Sequence, residues 1–215
     1  MMKIITFEGI EGVGKSTQIE KLHNYLIDSG FTSSVVREPG STPFGEDIRN
    51  LLLNTSHDIS SNAELLLMFA ARSELVDTYL KQPKTDFILC DRFYDASIAY
   101  QGYGRGLDIN FISQLIKAID CPVPNLTFVL DLDPIDGFKR KSTDKMDRIE
   151  SSGIEFFNNV RRGYLELAKN NSSRIKVIDA SMDVNDISDQ IITYIKKILW
   201  LVLKNIHGLI IFIKI

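Results

Sequence analysis

Ile5 to Leu22 reads ITFEGIEGVGKSTQIEKL: a β-branched and aromatic run, a glycine-studded turn, then a stretch with helical spacing. Gly9, Gly14, Lys15 and Ser16 fit the pattern G-x-x-x-x-G-K-[ST], in which backbone N–H groups point inward at a helix N-terminus and cradle phosphate. The nucleotide-binding candidates are therefore Gly9, Glu11, Gly12, Val13, Gly14, Lys15, Ser16 and Thr17. In this reading Lys15 neutralises β- and γ-phosphate charge, the Ser16 hydroxyl ligates Mg²⁺, and Thr17 supports the helix start. A glycine turn that merely joins strand to helix would also match the pattern. Strand, loop and helix nevertheless fall in the order that a phosphate loop requires.

Outward from this segment, Lys3 to Phe7 (KIITF), Ser34 to Arg37 (SVVR), Asp86 to Cys90 (DFILC), Leu126 to Leu132 (LTFVLDL) and Ile175 to Ile178 (IKVI) predict five buried parallel strands. Helical spacing recurs over 15–28, 46–53, 62–81, 109–119, 154–169 and 184–199. Each crossover helix must cover a sheet face. The alternation therefore predicts an α/β three-layer sandwich, a five-stranded parallel sheet flanked by helices. No internal repeat or linker interrupts it, and residues 1–200 read as one domain followed by an apolar tail, 201–215.

The chain has 215 residues, 44% of them hydrophobic, which suits one substantial core. Its 25 basic and 28 acidic residues are scattered, so no basic run marks a nucleic-acid footprint. Cys90 and Cys121, the only cysteines, lack C-x-x-C spacing and read as buried thiols of a reducing compartment, hence a cytoplasmic location. Met1 to Glu8 carries one lysine and a short apolar run, which suits a strand and not a signal peptide.

A phosphate loop alone leaves kinases, GTP-dependent switches and ATP-driven motors open. No Asn is followed by Lys and no Gly has Asp three positions before it, so the N-K-x-D and D-x-x-G elements of a switch are absent. Thr85 to Gln101 (TDFILCDRFYDASIAYQ) lacks the adjacent acidic pair of a motor. In open α/β sheets ligands collect at the carboxyl ends of strands, and here those ends carry arginine. The second strand runs into Arg37-Glu38-Pro39-Gly40 and the third into Asp91-Arg92-Phe93. Two guanidinium forks facing one another suit a second phosphate, that of a phosphorylated acceptor. Pro39 and Gly40 either punctuate a turn or shape the acceptor pocket. Asp91, ending an apolar strand, has the position of a carboxylate that holds Mg²⁺.

The segments EGIEGVGKST, REPGST, LLLMFAARSEL, DRFYDASIAYQGYGRG and DRIE resemble thymidylate kinases of the bacterial type, over roughly residues 3 to 200. The resemblance implies a nucleoside monophosphate kinase fold and transfer of the γ-phosphoryl group of ATP to dTMP, with Mg²⁺ as cofactor, ATP as co-substrate and a homodimeric assembly. It implies that Phe69 stacks on the thymine and Arg72 hydrogen-bonds it, and positions i and i+3 do share a helix face. It further implies that Arg37 and Arg92 hold the acceptor phosphate, that Tyr100 excludes a ribose 2′-hydroxyl, and that Ser97 and Gln101 neighbour base or sugar. Glu11 matches the acidic residue near the sugar 3′-hydroxyl or the metal. Arg105, in the glycine-rich stretch Gly102 to Gly106, would reach the acceptor side from a flexible turn.

A lid is expected over about 138–150, with Arg140 and Arg148 as the residues that close on the transferring group, Lys141 behind them, and Lys15 and Arg92 as the other catalytic groups. One branch of the family carries a basic residue inside the phosphate loop. Here that place is Gly12 or Val13, so the basic help must come from elsewhere. Ala96 stands where many relatives have serine. His23, His57 and His207 take no part, because the acceptor oxygen is already ionised. The segment LVLKNIHGLIIFIKI, 201–215, extends past the family's usual end and is broken by Lys204, His207 and Gly208, so it lacks a continuous membrane span. Two other readings stay open: a kinase of another deoxynucleotide, and a nucleotide-binding regulator on the same fold.

Overall fold

The computed structural model describes residues 2–54, 57–82, 84–141 and 147–207, with side chains placed as far as Trp200. Strands β1 (Lys3–Glu8), β2 (Ser33–Arg37), β3 (Phe87–Asp91), β4 (Leu126–Asp131) and β5 (Ile175–Asp179) form one parallel sheet in the order β2-β3-β1-β4-β5. The helices are α1 (Lys15–Asp28), α2 (Pro43–Asn54), α3 (Ser61–Leu75), α4 (Tyr94–Ser97), α5 (Ile109–Ala118), α6 (Pro134–Arg140), α7 (Ile154–Asn170) and α8 (Val184–His207). The expected sandwich and all five expected strands are present.

Alternation along the strands sorts the core into two layers. Ile5, Phe7, Leu89, Phe128 and Leu130 pack with Leu22 and Leu26 of α1 and Ile191 and Ile195 of α8. Ile4, Ile88 and Cys90 face the opposite side, with Leu65 and Leu75 of α3 and Ile112 of α5. That side also buries polar groups, and Thr6 Oγ1 donates to Thr127 Oγ1 at 2.7 Å. Burial pushes the Cys90 thiol well above its ordinary value and the Cys121 thiol up to about 12, so both are protonated and poor nucleophiles.

The helical boundaries differ from expectation in four places. α2 begins at Pro43 because Thr42 Oγ1 accepts the Gly45 N–H at 2.9 Å and proline needs no donor in a first turn. The helix expected over 62–81 changes pitch at Val76–Leu80, where the Lys81 N–H reaches Val76 O at 2.9 Å, five residues back. α6 lies where no helix was expected and starts on Asp133, whose Oδ1 accepts the Ile135 N–H at 2.9 Å. Gly102 to Gly104 is not a flexible turn: α4 continues as a π-helical segment, Ile98–Gly104, packed on α7. A Cβ at Gly104 would lie 2.5 Å from Phe156 Cε2, so the glycine lets the two elements touch.

α8 runs on through the first part of the expected tail to His207, and residues 208–215 lie outside those described. Among the described residues, no helix is long and apolar enough to cross a membrane.

Candidate active site

Strand register builds the site before any side chain is considered. Phe7 pairs with Asp91 and Arg37 pairs with Asp91, so the carboxyl ends of β1, β3 and β2 stand in one row. The Arg92 N–H donates to Phe7 O at 3.0 Å and the Glu38 N–H to Asp91 O at 2.9 Å, which extends that row one residue beyond the strands. A cleft of about 520 Å³ opens above it.

On one side lies the loop between β1 and α1. A Cβ at Gly12 would fall 2.0 Å from Gly137 O, and Gly12 has φ +73°, so only glycine lets α6 approach the loop so closely. Lys15 is buried, with Nζ donating to Ile10 O at 3.0 Å. Burial, then neighbouring Arg92, pulls its pKa below the ordinary lysine value, while Glu11, Asp91 and Glu8 oppose them.

Arg92 ties the two halves together. Its backbone is left-handed (φ +69°), which turns the side chain back over the loop. Its Nη1 donates to Gly9 O at 2.8 Å and to the Tyr164 hydroxyl at 3.3 Å, while its Nη2 donates to Glu11 Oε1 at 2.5 Å. Its guanidinium also lies 4.8 Å from the centre of the Tyr100 ring. Burial alone would raise the Glu11 carboxyl, but Arg92, with Lys15 and Lys141, holds it down at about 2. Behind them Glu8 is fully buried, its Oε1 accepting the Phe93 N–H and its Oε2 the Tyr164 hydroxyl, each at 2.7 Å. Desolvation and Asp95 push Glu8 up to about 8 against the pull of Arg92.

The other side of the cleft centres on Arg72. Its Nε donates to Glu38 Oε2 at 2.7 Å, its Nη1 to Ser97 Oγ at 2.9 Å and its Nη2 to Phe93 O at 3.3 Å. The whole group is buried, so the fork is held rigidly where α3 meets α4. The arrangement is one cleft with cations on both sides, Lys15 at the glycine loop and Arg72 on α3, and with Arg92 on its wall.

The sequence profile of the thymidylate kinase family matches residues 7–191. A thymidylate kinase of Chlorobaculum tepidum is 43% identical over 206 residues, covering 89% of this chain and 96% of its own. One from Kosmotoga olearia is 42% identical over 210 residues, covering 95% and 99%. The chain belongs to the thymidylate kinase family. A crystal structure of thymidylate kinase from Ehrlichia chaffeensis superposes with a TM-score of 0.75 at 34% identity, over 91% of this chain and 98% of that one.

Of the thymidylate kinase positions singled out in the sequence, Glu11, Gly12, Gly14, Lys15, Ser16, Thr17, Arg37, Pro39, Arg72, Asp91, Arg92, Ser97, Tyr100, Gln101 and Arg140 line the cleft. Gly9 and Val13 are in the loop but not on its wall. Phe69 is buried beneath Arg72, whose guanidinium sits 4.7 Å from its ring centre, and Met68 and Arg72 are the α3 side chains on the wall. Arg37 and Arg92 each bond a carboxylate: Arg37 Nη2 donates to Glu46 Oε2 at 2.9 Å, as Arg92 Nη2 does to Glu11. Arg105 and Arg148 both turn away to Glu64, at 3.3 Å and 2.6 Å. Arg140 Nη1 donates to Ala180 O at 2.8 Å, so it stands at the end of β5. Lys141, expected behind the arginines, is on the wall as well, where it pairs with Glu150. The remainder of the lid stretch, 142–146, lies outside the described residues.

Sequence reasoning missed Glu8, Glu38, Arg49, Glu64, Glu150 and Tyr164. Glu38 and Glu150 sat inside quoted motifs and were passed over for the arginines beside them. Arg49, one helical turn from Glu46, donates to Pro39 O at 3.0 Å, and nothing in its helical run distinguishes it.

The residues present fit a magnesium ion held with a nucleotide. Asp91 Oδ1 is buried with no hydrogen-bond partner among the described residues, and Asp91 and Ser16 both line the cleft. Both are hard oxygen donors. No group of three His, Cys, Asp or Glu side chains forms a cage among the described residues. That is the donor set of an ion completed by phosphates and water.

Proposed function

We propose that this chain catalyses phosphorylation of dTMP to dTDP, with ATP as the phosphoryl donor and Mg²⁺ bound by Ser16 and Asp91. The observation that carries the reading is Arg92, anchored to the loop carbonyl of Gly9 and to Glu11 while lying on the wall of the acceptor pocket. A phosphate oxygen of dTMP attacks the γ-phosphorus as the bond to the ADP oxygen breaks. The acceptor phosphate is largely ionised near pH 7, its second pKa being about 6, so no general base is needed. The chain's work is alignment and charge neutralisation. Lys15 meets the β- and γ-oxygens, Arg92 and Arg37 take the acceptor phosphate, and Lys141 supplies the lid charge that the phosphate loop itself lacks. Bound with the nucleotide, Mg²⁺ would neutralise β,γ-phosphate charge.

An ADP-release assay across dTMP, dUMP, dCMP and dGMP tests the acceptor: turnover confined to dCMP or dGMP overturns it, and none with any acceptor favours a regulator. Tyr100 donates to Glu11 Oε1 at 3.3 Å and packs edge-on against Phe156, Phe157 and Tyr164, a rigid wall for the sugar. Tyr100→Ala should therefore narrow the kcat/KM ratio of dTMP over ribothymidine monophosphate. An unaltered ratio counts against the assignment, because packing damage would depress both substrates alike.

A homodimer is part of the proposal. Phe44 and Leu51, seven residues apart on α2, and Leu66 on the adjacent α3 expose about half of their surface on neighbouring helices. Sedimentation that finds only monomer at micromolar protein would refute it. Cys90 and Cys121 are free thiols, which supports a cytoplasmic setting, and fractionation of cells would check that.

A further inference from the structure

We propose that Glu64 is a positioning residue for base selection, acting through Gln101; the inference rests on the dTMP reading above. Glu64 lies on α3 with its side chain 1% exposed. Three donors converge on it. Gln101 Nε2 meets Oε1 at 3.0 Å, Arg105 meets Oε1 and Oε2 at 3.3 Å each, and Arg148 Nη2 meets Oε2 at 2.6 Å. Burial raises the carboxyl, yet the hydrogen bonds from Gln101 and Arg148 and the nearby Arg105 charge together hold it below the ordinary glutamate value, so it is a carboxylate.

A carboxylate only accepts, and this decides which way the Gln101 amide is turned. Were the amide reversed, its carbonyl oxygen would face Glu64 Oε1 in a buried site, two acceptors with no proton between them. Nε2 therefore belongs to Glu64. The carbonyl Oε1, on which no described hydrogen bond ends, is the end that Gln101 offers to the cleft it lines. An acceptor there suits a pyrimidine with an imide N3–H, as in thymine or uracil. It opposes cytosine, whose N3 is itself an acceptor.

Glu64→Gln tests this because it removes one acceptor without removing volume. The two guanidinium groups of Arg105 and Arg148 claim the single oxygen left. The new amide nitrogen then faces Gln101, whose carbonyl turns to accept it, and an N–H points at the base. With purified full-length enzyme, kcat/KM is measured for dTMP, dUMP and dCMP in the wild type, Glu64→Gln, Gln101→Ala and the double variant. The dTMP-to-dCMP ratio should fall about tenfold or more in Glu64→Gln. The dTMP-to-dUMP ratio should not move, since both bases carry the imide proton. In the Gln101→Ala background Glu64→Gln should change neither ratio further.

A parallel loss with all three acceptors, ratios intact, would overturn the proposal and make Glu64 an anchor for Arg105 and Arg148 only. A wild type that leaves dTMP untouched would instead sink the acceptor assignment itself. If Glu64→Gln does not fold, the wild-type crystal structure with dTMP decides the matter. Gln101 Nε2 on Glu64 with Oε1 on the base is expected, and a carbonyl turned away from the base refutes the proposal.

Discussion

Lys15→Met is expected to lower kcat by roughly a thousandfold, the range seen when a buried transition-state cation or donor is removed. Lys15 is 8% exposed, and its ammonium is fixed to the loop carbonyl of Ile10 at 3.0 Å. Its charge therefore acts in a site from which much of the water is already excluded, where each interaction with phosphate is stronger than in bulk solvent. Burial and then Arg92 lower its pKa, and Glu11, Asp91 and Glu8 oppose them. Methionine matches the stem in length and removes a single protein hydrogen bond, that to Ile10 O, so thermal melting should shift little while turnover collapses. Turnover close to the wild-type rate would refute the role of Lys15 and, with it, the reading of the glycine loop.

The second large effect belongs to Arg92. Arg92→Ala should cost about two to three orders of magnitude in kcat/KM for dTMP, because one residue supplies both the fork to the acceptor and the clamp on the loop. Arg92→Lys should recover little of it: an ammonium cannot reach Gly9 O, the Tyr164 hydroxyl and Glu11 together. The same variant has a signature in acid. Glu11 sits at about 2 when folded, against an ordinary value of 4.5. Its folded-state pKa is depressed, so the stability it contributes is present above 4.5 and is lost as pH falls from there towards 2. Without Arg92, burial is opposed only by weaker partners, and the acid dependence across that window should shrink. Denaturant melts between pH 2 and 5 measure it. A pH profile identical to the wild type, together with unchanged kcat/KM, would mean that the guanidinium holds neither the acceptor nor the loop.

The parts of the fold legible in the sequence are those set by contacts between near neighbours. The run Ile5 to Leu22 carries strand alternation, three glycines and a helical stripe within 18 residues, and the structure keeps all three in place. α4 and its π-helical continuation escaped notice for a physical reason. Tyr94 to Gly102 is buried on every side, so no apolar stripe alternates with a polar face to announce a helix. The glycines within Gly102–Gly106 look like a turn until Phe156, brought in from α7, is seen to need the space.

The site divides along the same line. Lys15, Ser16, Asp91 and Arg92 could be named from local pattern, because a phosphate loop and a strand end are short-range objects. Which carboxylates Arg92, Arg148 and Tyr164 meet could not be, since those partners are distant in the chain: Arg92 and Glu11 are 81 positions apart, Arg148 and Glu64 are 84, and Tyr164 and Glu8 are 156. A charged residue in a run such as Lys139 to Lys141 carries the same chemistry whether it meets solvent, nucleotide or a buried acid. The amino-acid order thus determined the phosphate chemistry, the strand count and the family to which the chain belongs. Only the parallel sheet, by setting the ends of β2, β3 and β1 in one row and folding α3 and α7 over them, decided which cations line the cleft and which carboxylate each of them meets.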